Sequence, residues 1–127
     1  MCIRDRFREL LSANESALSE AVAFLESQRA RGGTTLRPAL QTAYKFKESD
    51  RALNVVILSD GMTEQTEQAE LVRLIGQSPS GTRVFCVGVG NEVNRPLLSQ
   101  LADDAGGLSA FVSHGDDFGR QSEAFRR

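Results

Sequence analysis

The uncharged run Leu53-Asn54-Val55-Val56-Ile57-Leu58-Ser59, closed by Asp60-Gly61, constrains this chain more than any other stretch. Consecutive β-branched and aliphatic residues without alternation read as a strand buried on both faces, the pattern of an inner strand in a parallel sheet. The acid and glycine at its end put one carboxylate at the carboxyl end of that strand. In open α/β sheets this edge forms the ligand crevice, because loops and helix N-termini converge there. Asp60 is therefore the first candidate for a functional role, and the competing reading is a turn residue that caps the next helix.

Val84-Phe85-Cys86-Val87-Gly88-Val89-Gly90 repeats the logic as a second strand near 84–89, and residues 108–112 make a third. Helical patterns fill the intervals. Ser12 and Glu15 have capping-box spacing, and Leu18, Ala21, Val22 and Leu25 share one face of a helix running to about residue 29 or 31, where Gly32-Gly33 stops it. Thr34-Thr35 then precede a helix with Pro38 in its first turn, running to about residue 47. The two threonines read either as N-caps or as oxygen donors at the tip of a glycine turn. Thr63 caps the next helix, whose early acids Glu64 and Glu67 read as complements to its dipole; Asn94, followed by Pro96, caps another. Asp116 or Asp117 starts a last helix carrying Phe118 and Phe125.

This alternation predicts an α/β fold, a doubly wound, Rossmann-like parallel sheet with helices on both faces. Three strands are few for such a sheet, so the pattern reads as one whose first strands are missing. Residues 1–6 lack any periodicity continuous with the helical pattern after them and read as a non-native or disordered start; residues 7–127 read as one partial domain.

With 127 residues, 40% of them hydrophobic and 25% charged, the chain suffices for one core. A net charge of -2 and the absence of a basic cluster argue against nucleic acid as a partner. No apolar run is long enough to span a membrane. Cys86 falls inside a strand pattern and reads as a small hydrophobe, and a disulfide with Cys2 is not expected. His114 is the single histidine, so neither a zinc site nor a histidine-based triad has its partners. The G-x-G-x-x-G fingerprint fails because Val93 follows Gly88 and Gly90 where the third glycine belongs. A phosphoacceptor enzyme would need a second acid beside Asp60 on another strand, or two residues after it where Met62 stands. The chain is therefore expected not to be an enzyme.

Gly32-Gly33-Thr34-Thr35-Leu36 with Ala39-Leu40, then Val55 to Gly61, then Val84 to Asn91 with Asn94 and Leu97-Leu98, resemble the later part of a von Willebrand factor type A domain. The resemblance is closest to the inter-alpha-trypsin inhibitor heavy-chain group, including its bacterial relatives. It implies a module that binds proteins through a divalent metal, usually Mg2+, in a metal-ion-dependent adhesion site. By position Thr34 corresponds to the family's threonine ligand and Asp60 to the aspartate at the end of its fourth strand, with Thr35 a second candidate for the hydroxyl. The family's D-x-S-x-S motif does not occur in this sequence. Its strand lies beside the one ending at Asp60, so an open apolar edge there and weak or absent metal binding are expected. The implied partner is a protein offering an acidic side chain, in an extracytoplasmic or cell-envelope setting. The alternative is a degenerate assembly module that uses no metal.

Overall fold

The computed structural model describes residues 10–29 and 35–113 together with Gly119, Ser122 and Glu123. Three parallel strands, β1 (Leu53–Ser59), β2 (Thr82–Val89) and β3 (Ser109–Val112), lie in the order β1-β2-β3. In register, Val55 pairs with Val84, Ile57 with Cys86, and Gly88 with Phe111. Four helices accompany them: α1 (Glu15–Ser27), α2 (Leu36–Tyr44), α3 (Gln65–Gly76) and α4 (Arg95–Asp104). The first strand matches the expected span, and the α/β class is as the alternation predicted.

The core lies on one face of the sheet. Ile57, Val84 and Cys86 point into it and meet Leu71 and Ile75 of α3 and Leu97, Leu98, Leu101 and Ala102 of α4, all buried. Helix α4 lies on β2 and β3, α3 lies beside α4, and α2 packs against α3 and β1. Because the strand order never reverses, the crossover helices α3 and α4 share one side, as right-handed connections require.

Four expectations change. The β1 strand is not buried on both faces: Val56 is 54% and Leu58 70% exposed, while their neighbour Ile57 is 9% exposed. An apolar run without alternation does not distinguish two covered faces from one. The α1 helix buries none of its residues, and its apolar stripe of Leu18, Val22 and Leu25 faces solvent. Its cap is Asn14, whose side chain accepts from Ala17 N at 2.9 Å, rather than Ser12. Helix α2 stops at Tyr44 and runs on only as tight turns, with Lys45, Phe46 and Lys47 donating to the carbonyls three residues before them. Gly32-Gly33, His114 and the caps and aromatics assigned to the last helix lie outside the described residues.

Candidate functional site at the carboxyl edge of the sheet

Parallel strands send their carboxyl ends to one edge, and there β1 delivers Ser59 and then Asp60. The turn after them is locally built. Ser59 Oγ accepts from Gly61 N at 3.0 Å, and Asp60 Oδ1 accepts from Met62 N at 3.0 Å. Gly61 has φ +69°, a conformation that costs an L side chain about 1–2 kcal/mol. It is also buried against α4, so that a Cβ there would lie 3.0 Å from Leu98 Cγ. The Asp60 carbonyl accepts from Asn94 N at 2.8 Å, which ties this turn to the start of α4. Asn94 caps that helix as expected, its side chain accepting from Leu97 N at 3.3 Å. Asp60 therefore stands at the strand tip with one carboxylate oxygen engaged by the main chain.

The start of α2 comes to the same edge. Glu67, in the first turn of α3, accepts the Arg37 main-chain N–H on Oε1 at 3.2 Å and the Thr63 hydroxyl on Oε2 at 2.9 Å. Arg37 also pairs with Glu70 at 2.8 Å through its guanidinium. Thr63 thus spends its hydroxyl on Glu67 and does not cap α3, whose N-cap is Glu64 without a side-chain cap bond. Thr35 occupies the N-cap position of α2, also without a side-chain cap bond. Thr34 lies outside the described residues; the segment after it is linked to the turn after Asp60 through Glu67, which binds both Arg37 N and Thr63 Oγ1. Sequence reasoning missed the role of Glu67. No periodicity links it to Arg37, since the two meet only through the tertiary packing of α2 on α3.

Near the end of β2, Gly88 serves packing. A Cβ at Gly88 would lie 2.5 Å from Phe111 Cδ1 and 2.7 Å from Val93 Cγ1, so the small residue makes room for the β3 ring. Arg95 lies over that ring, its guanidinium carbon 4.7 Å from the centroid.

The donors suit a small hard cation in kind, being oxygen from a carboxylate and a hydroxyl, but not in number. Among the described residues no group of three or more His, Cys, Asp or Glu could hold a metal ion. A parallel α/β sheet with a carboxylate at the tip of one strand has the architecture in which ligands bind at the carboxyl edge. The family model of the von Willebrand factor type A domain matches residues 3–111, and the chain belongs to that family. Its members generally mediate protein interactions, often through a metal.

Relatives include inter alpha-trypsin inhibitor, heavy chain 4, of Mus musculus, 26% identical over 130 residues, an alignment covering 93% of this chain and 14% of that protein. Two von Willebrand factor A domain-containing proteins of Dictyostelium discoideum are 28% and 29% identical over 86% and 85% of this chain, and 5% and 12% of their own lengths. The chain thus spans a small part of each of these relatives. The fold is that of the conserved hypothetical protein BatB from Bacteroides thetaiotaomicron, with a TM-score of 0.66 at 17% identity, covering 87% of this chain and 67% of that one.

Proposed function

We propose that this chain is part of a metal-ion-dependent protein-binding module. Asp60 and Thr34 supply two donors to a Mg2+ site, and a D-x-S-x-S segment on a strand beside β1 supplies the rest. The observation that carries this reading is the placement of Asp60. It sits at the tip of a strand whose outer edge has no partner among the described residues, and Glu67 ties the turn after it to the first turn of α2. When bound, the cation would offer a coordination position to a partner's acidic side chain. The chain's own part is to hold the Asp60 carboxylate through Met62 N, and the Asp60 main chain through Asn94 N on its carbonyl. An extracytoplasmic or cell-envelope setting fits such a module and is proposed on kinship alone. No helix among the described residues is long and apolar enough to cross a membrane.

A second reading, favoured by the sequence's lack of D-x-S-x-S, is an assembly module that uses no metal. Calorimetry separates the two. Mg2+ added to this chain is expected to give no saturable heat. A polypeptide extended upstream through D-x-S-x-S is expected to bind one equivalent, and to lose it on Asp60→Ala. Tight stoichiometric binding by the present chain would contradict the shared-site proposal, and an upstream sequence without D-x-S-x-S would leave the assembly reading in its place.

A further inference from the structure

We infer that Glu67 is a positioning residue for this edge, stapling the first turn of α2 to the turn that carries Asp60. The inference rests on the proposed function for its purpose, but its geometry stands without it. The Arg37 N–H belongs to the first turn of α2, where amides have no carbonyl of their own helix to bond. Thr35 provides no side-chain cap, and Pro38 has no N–H to offer. The cap instead comes from a different helix, through Glu67 Oε1 at 3.2 Å.

The other oxygen, Oε2, takes the Thr63 hydroxyl at 2.9 Å, and the Thr63 carbonyl is held in turn by Gln68 Nε2 at 2.8 Å. Thr63 directly follows Met62, whose N–H bonds Asp60. One carboxylate therefore links the segment after Thr34 to the segment after Asp60, and its charge sits at the positive ends of two helices at once. Both oxygens already accept from the protein, so Glu67 holds the edge in shape and is not assigned to the cation. The Arg37–Glu70 pair joins the same two helices, but with side chains 46% and 45% exposed it contributes little and fixes neither loop. A spacing set before any ligand arrives spares the ordering cost at binding.

The test uses amide NMR of the labelled chain without metal. In Glu67→Ala, hydrogen exchange at the Arg37 amide is expected to accelerate about tenfold, the loss of one charge-assisted hydrogen bond, and the Thr63 resonance to shift. Glu67→Gln is expected to retain both effects of the wild type, because its amide oxygen can accept from Arg37 N and its NH2 can donate to Thr63 Oγ1. Unchanged Arg37 exchange in Glu67→Ala, or Glu67→Gln behaving like Glu67→Ala, would overturn the staple. Should Glu67→Ala fail to fold, Thr63→Val removes one arm alone and is expected to raise Arg37 exchange by a smaller factor; no change there would count equally against it. The metal-free result decides the staple by itself, and the calorimetry of the extended polypeptide decides the cation reading, so failure of one is distinguishable from failure of the other.

Discussion

At the scale of single residues, the turn after β1 depends on one backbone conformation. Gly61 combines a left-handed φ with contact against Leu98, so Gly61→Ala meets both backbone strain and a Cβ 3.0 Å from a buried side chain. A loss of about 1–3 kcal/mol is expected, read as a lower urea midpoint with an unchanged slope. Two buried groups set the response to alkali. Burial pushes the Cys86 thiol up to about 11. Burial also raises the Tyr44 hydroxyl, partly offset by the nearby Ser78, although no well-formed hydrogen bond reaches it. Each group keeps its proton in the folded chain at a pH where the unfolded chain has begun to release it. The unfolded state then binds fewer protons, and stability falls as pH rises. For Cys86 the stabilisation is complete below about pH 9 and is lost as pH climbs through about 11. Urea midpoints are expected to drop across that window, and Cys86→Ala to flatten part of the slope. Inertness of the wild-type thiol towards a disulfide reagent until the chain unfolds would follow from the same burial.

At the scale of elements, β1 has two unlike faces. Ile57→Ala removes a side chain from the core and is expected to cost about 2–5 kcal/mol, whereas Leu58→Lys, one residue away and 70% exposed in the wild type, is expected to change stability by less than about 0.5 kcal/mol. Chemical denaturation of the two variants side by side checks this, and a large loss in Leu58→Lys would mean that something covers the second face in solution. Most element positions were legible in the sequence because their cues are local: the Leu53–Ser59 run, Asn94 with Pro96, and the glycines after α4. Caps were less legible. Ser12, Asn14 and Thr63 all have cap chemistry, and the chain path alone decided that Asn14 caps α1 while Thr63 turns to Glu67.

At the scale of the whole molecule, the described sheet offers an unprotected edge. No Lys, Arg, Pro or acid lies within Leu53–Ser59 to discourage another strand. The exposed stripe of α1 adds Leu18, Val22 and Leu25 to the apolar surface. A strand carrying D-x-S-x-S beside β1 would cover the edge and bring the missing donors to Asp60 in one step, which is why the calorimetric comparison of the present and extended polypeptides bears on fold and function together. The open edge also predicts self-association. Light scattering is expected to show mass rising with concentration, and Val56→Lys to reduce it by placing a charge on the exposed strand.

Sequence alone determined the α/β class, the span of β1 and the position of Asp60 at its tip, because hydrophobic runs, turn glycines and strand ends are written in neighbouring residues. It also determined that the family's aspartate and serine ligands are not supplied by these residues. Only the tertiary structure decided which face of β1 is buried, and that Glu67 spans from the Thr63 turn to the start of α2. Those outcomes depend on which helices lie against which strands, and residues thirty positions apart carry no local mark of the hydrogen bond that joins them.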